Sequence, residues 1–149
     1  MAEAIEHKRT SLSEHLSGPP PRSLQLALAA AHTAAENKGR DILVLDMRDL
    51  TPLFDYFVVA TGTSRRQLHA MSEEIDHVLE DDLGDHRAGI EGYRESRWIL
   101  LDYGSVVIHL FDEEMRQYYA LEDLWADAKR VPLPPEVANR SAAGAESRD

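Results

Sequence analysis

The chain has 149 residues, which is enough for one domain with a single hydrophobic core. Its 27 acidic and 16 basic residues give a net charge of -11, and it has no cysteine. This composition excludes disulfide and thiol chemistry. It also disfavours a protein that coats nucleic acid, because phosphate contacts require Lys and Arg. It suits either a protein with a basic protein partner or simply a soluble acidic protein.

No targeting or membrane segment is visible in the sequence. No apolar stretch approaches the roughly 20 residues that are needed to cross a bilayer. Residues 1–15 lack the apolar centre of a secretory signal. We therefore expect a cytoplasmic protein without a membrane partner.

The first part of the chain predicts a flexible extension followed by a helix. Residues 1–22 are polar and contain three consecutive prolines near their end, which is typical of a flexible segment with a stiff stop. From about Ser23 to Asn37, apolar residues recur at helical spacing, so a first helix is expected there.

Two strands and a second helix are predicted next. Ile42–Met47 is a short apolar run, and Asp55–Thr61 is apolar enough to form a central strand. A helix from Arg65 to about Asp81 follows, because apolar residues there recur on one helical face. A short strand is predicted near Arg87–Glu91.

The segment Trp98–Phe111, W-I-L-L-D-Y-G-S-V-V-I-H-L-F, predicts two strands joined by a tight turn at Tyr103-Gly104. That turn would place Trp98 opposite His109. Because side chains alternate along a strand, the hairpin has one apolar face and one mixed face. The apolar face holds Ile99, Leu101, Val106, Ile108 and Leu110. The mixed face holds Trp98, Leu100, Asp102, Ser105, Val107, His109 and Phe111.

The mixed face leaves two alternatives open. Helices can cover both faces of a sheet, as in many α/β domains, or this face is exposed and contacts a partner. The sequence favours neither alternative, since an apolar side chain suits a core and an interface equally well.

The last predicted element is a helix from about Glu113 to Lys129, with an acidic first turn and a basic end that complement the helix dipole. Residues 132–149 then predict a flexible C-terminal tail. The expected architecture is a single compact α/β domain over residues 23–131, a mixed β-sheet flanked by helices in the order α-β-β-α-β-β-β-α.

One candidate for ligand binding is the turn Thr61–Ser64, T-G-T-S, between a strand and a helix. Main-chain amides at a helix N-terminus attract phosphate, and Arg65 and Arg66 add positive charge. The spacing is not that of a P-loop, and Ser64 suits the role of a helix cap. A structural turn is therefore favoured, with a nucleotide-binding or nucleotidyltransferase-like enzyme as the alternative.

Metal and catalytic sets are weakly indicated. His69, Glu73 and His77 share one helix, but they do not form an H-E-x-x-H motif. No strand carries the D-x-D pair that metal-dependent phosphoryl transfer would need. His109 lies in mid-strand, and the sequence places no nucleophile beside it. We expect no cofactor, no metal and no catalytic residue.

Four segments match a known family in order and spacing. They are D-Y-F-V-V-A-T-G-T-S-R-R-Q (Asp55–Gln67), E-G (Glu91-Gly92), the hairpin segment Trp98–Phe111, and R-Q-Y-Y-A-L-E-D-L-W-A-D-A (Arg116–Ala128). Together they resemble the ribosomal silencing factor family, also called Iojap, over about residues 23–131. One departure is Ser105, where the family often has an acidic residue.

The resemblance implies a fold similar to that of nucleotidyltransferases, without their catalytic carboxylates, and a role that is not enzymatic. Members of the family bind the large ribosomal subunit through its protein fourteen. They block joining of the small subunit and lower translation when nutrients are scarce. A basic protein target with little direct RNA contact is implied, and formation of a homodimer stays open.

The resemblance also places the partner contact on the mixed face of the hairpin. Trp98 would be the aromatic anchor, acidic side chains would pair with basic residues of the partner, and His109 and Phe111 would border the patch. The expected contact residues are Glu91, Trp98, Leu100, Asp102, Val107, His109 and Phe111.

Overall fold

The computed structural model describes the backbone of residues 21–146 and the side chains of residues 21–141. Residues 1–20, and with them nearly all of the predicted N-terminal extension, lie outside the described residues. The helices are α1 (Arg22–Glu36), α2 (Arg65–His77), α3 (Glu113–Tyr119), α4 (Leu121–Leu124) and α5 (Pro135–Glu146), and a π-helical turn (Val78–Asp82) extends α2. The strands are β1 (Arg40–Asp46), β2 (Tyr56–Gly62), β3 (Gly89–Glu91), β4 (Trp98–Asp102), β5 (Val106–Asp112) and β6 (Lys129–Arg130).

The six strands form one mixed sheet in the order β3-β4-β5-β2-β1-β6. Strands β2 and β5 run parallel, and every other neighbouring pair is antiparallel. A parallel pair needs a long crossover connection, and the chain between β2 and β5 supplies it with α2, β3 and β4. The predicted class, a mixed α/β sheet flanked by helices, is confirmed. No helix in residues 21–146 is long and apolar enough to cross a membrane.

Helices α1, α2 and α5 pack on one side of the sheet, which we call the helix face. The five residues of the predicted apolar hairpin face all point to this side and are fully buried. Leu26 of α1, Leu68 of α2 and Val137 of α5 join the same cluster. The main hydrophobic core therefore lies between these helices and the sheet.

The opposite side, which we call the groove face, is only partly covered. Leu121 packs there against Val59 and Phe111, and Ala128 packs against Leu45 in a second cluster. These contacts lie over β1, β2 and one end of β5. The rest of the groove face, over β3, β4 and the beginning of β5, carries half-exposed side chains.

The prediction of a single last helix is wrong, because the helix is interrupted at Ala120. This residue adopts a left-handed conformation with φ of 43° and separates α3 from α4. The break lets Arg116 donate from Nε to Glu122 Oε1 at 3.1 Å, whereas residues six apart face different sides of a continuous helix. Arg116 also donates from Nη1 to Thr61 Oγ1 at 2.8 Å. One buried guanidinium thus fastens both short helices to the sheet.

The C-terminal segment also differs from the sequence-based prediction. Residues 132–149 were expected to form a flexible tail, whereas Pro135–Glu146 forms α5 and packs on β1. Val137 is 1% exposed, and Ser141 Oγ accepts a hydrogen bond from the main-chain nitrogen of Ile42 at 3.2 Å. The few apolar residues of this segment predict no helix by themselves, and burial against β1 supplies the missing stabilisation.

The hairpin turn lies one residue later than predicted. Trp98 pairs with Phe111 and Leu100 with His109, so the predicted pairing of Trp98 with His109 is wrong. The turn is at Gly104, which has φ of 81°. Tyr103 does not lie in the turn, because its side chain is buried and its hydroxyl donates to Asp76 of α2. This one-residue shift of the turn changes the cross-strand partner of each residue by two positions. Each side chain therefore stays on its predicted face.

Gly92 provides a test of the loop that leads into β4. It has φ of 77°, and a Cβ at this position would lie 1.9 Å from the carbonyl oxygen of Trp98. We expect Gly92→Ala to lower the free energy of unfolding by more than about 3 kcal/mol, measured by urea denaturation. Gly84→Ala is the matched control, because Gly84 has φ of 70° with open space around it. It should cost only about 1–2 kcal/mol. Equal losses in the two variants would contradict the steric argument.

Candidate protein-docking groove

A groove of about 630 Å³ lies on the groove face, over strands β3, β4 and β5. Leu100 of β4 and Val107 of β5 line it from the sheet. Leu53 and Phe54, from the segment before β2, line it from the other side, and Leu53 is 80% exposed. An open apolar concavity with an exposed leucine beside it suits an apolar side chain of another molecule.

The charge of the groove is negative. Glu91 and Asp102 line it, and no Lys or Arg does so in the described part of the chain. Glu91 pairs with Leu100 across β3 and β4, so its carboxylate stands beside an apolar position. Asp102 Oδ1 accepts a hydrogen bond from Gly104 N at 2.8 Å, which holds this carboxylate at the turn. The groove therefore complements an apolar group with basic residues around it.

An aromatic stack closes one end of the groove face. The ring of Trp98 lies 5.0 Å from that of Phe111 and 4.6 Å from that of Tyr119, measured between centroids. Trp98 Nε1 donates a hydrogen bond to His109 Nδ1 at 3.1 Å. The stack joins β4, β5 and α3, and Trp98 lies over the buried Phe111 and His109 while remaining half-exposed.

His109 is a buried histidine in its neutral form. Burial lowers its pKa from 6.5 to about 4. The indole nitrogen of Trp98 can only donate, so His109 Nδ1 is the acceptor and the proton of the neutral ring is on Nε2. Nε2 has no hydrogen-bond partner among the described residues, and the Phe57 ring stands perpendicular to the imidazole at 4.7 Å. With no nucleophile bonded to it, this ring has the features of a packed core residue.

The structure brings most of the predicted contact residues together and buries two of them. Five of them line the groove, namely Glu91, Leu100, Asp102, Val107 and His109. Trp98 lies in the aromatic stack beside the groove. Phe111 and His109 were expected to border an exposed patch, but Phe111 is 0% exposed and His109 is 4% exposed. Trp98 stacks on Phe111 and bonds to His109, so both lie beneath the surface rather than on it.

Sequence reasoning missed Leu53 and Phe54 from the β1–β2 connection, and Phe57 at the beginning of β2. Leu53, Phe54 and Phe57 all line the groove, and the Phe54 and Phe57 rings stack at 4.6 Å. A signal was present, because Leu53 and Phe54 directly follow Pro52 between two predicted strands, where large apolar residues are unusual. Their placement against the hairpin could not be read from local pattern.

The turn at Thr61–Ser64 has its polar groups engaged within the protein. Ser64 Oγ accepts from Gln67 N at 3.0 Å, and Gln67 Oε1 accepts from Thr63 N at 2.6 Å, so the capping role predicted for Ser64 is confirmed. Gly62 is needed for packing, because a Cβ there would lie 2.7 Å from a methyl carbon of Leu68. These contacts favour the structural turn over the nucleotide site.

The helical histidines make separate contacts. His69 Nε2 lies 2.7 Å from the carbonyl oxygen of Tyr93, and His77 Nδ1 lies 2.7 Å from Asp81 Oδ2. Among the residues that the structure describes, no group of three or more His, Cys, Asp or Glu side chains could hold a metal ion.

Solved structures of two bacterial proteins share this mixed-sheet fold. A crystal structure of a Chromobacterium violaceum protein is 36% identical in sequence with a TM-score of 0.65, covering 69% of this chain and 85% of that one. A crystal structure of a Bacillus halodurans protein is 34% identical with a TM-score of 0.61, covering 74% of this chain and 96% of that one. The chain is thus an α/β domain of the kind that these two proteins adopt.

The family follows from the sequence matches. Residues 20–149 match the family model described as "Ribosomal silencing factor during starvation". The ribosomal silencing factor RsfS of Bacillus subtilis is 39% identical over 104 residues, covering 70% of this chain and 87% of that protein. The chloroplastic Iojap protein of Arabidopsis thaliana is 36% identical over 114 residues, covering 76% of this chain and 47% of that protein. This chain belongs to the ribosomal silencing factor family.

The buried His109 makes stability depend on pH. Because its folded pKa of about 4 lies below the ordinary 6.5, the unfolded chain binds more protons between these values. Stability from this residue is complete above about pH 6.5 and is lost as the pH falls towards 4, by roughly 3 kcal/mol in total. His109→Asn keeps an acceptor near Trp98 and cannot titrate. Its free energy of unfolding should therefore fall less steeply over this window. Parallel pH curves for the two proteins would contradict the assignment.

Proposed function

We propose that this protein represses translation by docking its groove onto a basic protein of the large ribosomal subunit, protein fourteen, and thereby excluding the small subunit. The role is not enzymatic and operates when nutrients are scarce, in keeping with the description of the family. The observation that carries the proposal is a partly uncovered sheet face in a chain of this family, lined by apolar and acidic residues.

The composition of the groove supports a protein partner. Interfaces are centred on apolar and aromatic side chains with polar groups at the rim, and the groove has Leu100 and Val107 within it and Glu91 at β3. A basic ribosomal protein would meet the two carboxylates of the groove with Lys or Arg. Trp98 is half-exposed on β4, two residues before Leu100, which suits an aromatic anchor at the border of the groove.

The mechanism is steric and needs no group that reacts. A domain bound at the joining surface of one subunit occupies space that the other subunit requires. The contacts of Gln67 and Leu68 explain the Thr61–Ser64 turn as a structural element. The turn therefore gives no support to the enzymatic alternative. Repression then depends on occupancy, and hence on affinity for the large subunit.

A single substitution at Leu53 tests the groove. Leu53→Lys removes an apolar contact and places a positive charge where a basic partner would dock. We expect at least about a tenfold loss of affinity for purified large subunits in sucrose-gradient co-sedimentation. Leu53 is 80% exposed, so the free energy of unfolding should change by no more than about 0.5 kcal/mol.

The matched control is Leu124→Lys in α4. Leu124 is 70% exposed, is also a leucine and does not line the groove. This variant should co-sediment as the unmodified protein does. If both lysine variants bind normally, the groove is not the docking surface. If both lose affinity to the same extent, the effect is one of general charge and the proposal fails.

A further inference from the structure

One wall of the groove is a short strand at the edge of the sheet. Strand β3 has only three residues, all of them line the groove, and within residues 21–146 it pairs with β4 alone. Glu91 lies on the groove face beside Leu100, whereas Ile90 packs on the main core. A three-residue edge strand makes few hydrogen bonds and opens easily. The position of the Glu91 carboxylate therefore depends on what else holds β3.

A cluster of side chains on the helix face holds the chain just before β3. We call it the β3 anchor, and it consists of Asp76, Glu80, Arg87 and Tyr103. Asp76 Oδ2 accepts a hydrogen bond from Arg87 Nη1, and Glu80 Oε1 accepts one from the main-chain nitrogen of Arg87 at 3.3 Å. Residues 83–88 form neither helix nor strand. Arg87, two residues before β3, is thus fixed to α2 and its π-helical turn through both side chain and main chain.

The carboxylate of Asp76 also fixes the hairpin. Its Oδ1 accepts a hydrogen bond from the hydroxyl of the buried Tyr103. Tyr103 lies between Asp102 and Gly104, which both line the groove. The main-chain nitrogen of Ala88 donates to the carbonyl oxygen of Asp102 at 2.7 Å, which joins the two anchored segments. Asp76 thus sets the position of β3 relative to the hairpin turn, although it does not line the groove itself.

The β3 anchor is better suited to fixing geometry than to adding stability. The side chains of Asp76 and Arg87 are both mostly buried. Burial raises the pKa of Asp76, and the hydrogen bonds from Tyr103 and Arg87 offset that effect only in part. A pair of this kind contributes little net stability, because desolvation opposes the attraction between the charges. Its hydrogen bonds nevertheless tolerate only a narrow range of positions of the two partners.

We infer that Asp76 is a positioning residue for docking, which acts through Arg87 and β3 on the carboxylate of Glu91. The inference rests on the proposed function, in which Glu91 meets a Lys or Arg of the partner. An edge strand that is already anchored loses little conformational freedom when a partner binds, so less of the binding free energy is spent on ordering it. A residue on the helix face thereby controls affinity on the opposite face of the sheet.

Substitutions of Arg87 test the inference, with isolated protein fourteen of the large subunit as the probe. Arg87→Met keeps an aliphatic stem and removes the guanidinium, and we expect about a tenfold loss of affinity. Arg87→Lys should restore most of this loss, because it keeps a cation that can donate to Asp76. Asp76→Asn should weaken binding to a similar extent as Arg87→Met, since its side chain offers one acceptor oxygen in place of two.

The matched control is Arg48→Met. Arg48 pairs with Asp46 at 2.7 Å, the two side chains are buried to a similar degree as those of Arg87 and Asp76, and Arg48 does not line the groove. This ion pair joins residues only two apart, so it ties no separate segments together. The variant should bind protein fourteen as the unmodified protein does. An equal loss in Arg48→Met and Arg87→Met would overturn the inference, because any lost ion pair would then have the same effect.

Double variants separate positioning from general destabilisation. Arg87→Met combined with Glu91→Gln should bind no more weakly than the weaker of the two single variants, because both changes remove the same contact. Combined with Leu53→Lys, the two losses should multiply, since Leu53 lines the other side of the groove. Losses that multiply in both combinations would overturn the inference, because a general loss of stability affects all contacts alike.

Hydrogen exchange of main-chain amides tests the β3 anchor without any partner. In Arg87→Met, the amides of Ala88 and β3 should exchange at least about tenfold faster, while those of β5 exchange as before. Unaltered exchange in β3, or normal binding by Arg87→Met, would overturn the inference. If the unmodified chain does not bind protein fourteen, it is the proposed function that fails, and the exchange result alone decides whether Asp76 and Arg87 position β3.

Discussion

The position of β5 within the sheet is the constraint on which the rest of the structure depends. It lies between an antiparallel neighbour, β4, and a parallel one, β2, so its main chain is bonded on both sides. Each side chain must then point to one face or the other. Val106, Ile108 and Leu110 are fully buried beneath the helices. A slip of one residue would exchange them for Val107, His109 and Phe111 and bury an imidazole in the main core.

With β5 fixed in the sheet, part of the groove face stays uncovered because little of the chain remains to pack against it. Three helices occupy the helix face, and the segment from α3 to β6 is the main cover for the other. The break at Ala120 and the buried Arg116 hold this segment over β1 and β2. The remaining surface, over β3, β4 and part of β5, is the groove. In the proposed role, docking completes the burial that the chain itself leaves unfinished.

Trp98 connects the covered and uncovered parts of that face. It stacks on Phe111 and Tyr119 and bonds to His109, which places it in the structural cluster. It is also half-exposed at the edge of the surface proposed for docking. A residue with both kinds of contact is rigid before binding, so an interface that includes it loses less side-chain entropy on docking. This explains how one residue suits both packing and recognition.

Much of the fold was predictable from local pattern. The alternation along Trp98–Phe111 sorted the side chains onto the right faces, and helical spacing located α1 and α2. Periodicity reports which residues share a face, because each residue's direction depends on its neighbours in sequence. It was insufficient for the hairpin register, because Tyr103 pairs with Val106 instead of lying in the turn, and its hydroxyl bonds to Asp76 of α2. It was also insufficient for α5, which depends on burial against β1.

The sequence by itself determined the mixed α/β class, the two faces of the hairpin and the resemblance to the ribosomal silencing factor family. Only the tertiary structure decided which part of the mixed face is open. Phe111 and His109 have the same alternation as Leu100 and Val107, yet the first two are buried and the last two line the groove. The difference comes from Trp98, α3 and α4, which cover one end of the face and not the other. Such coverage depends on contacts between distant segments, and local sequence carries no direct signal for it.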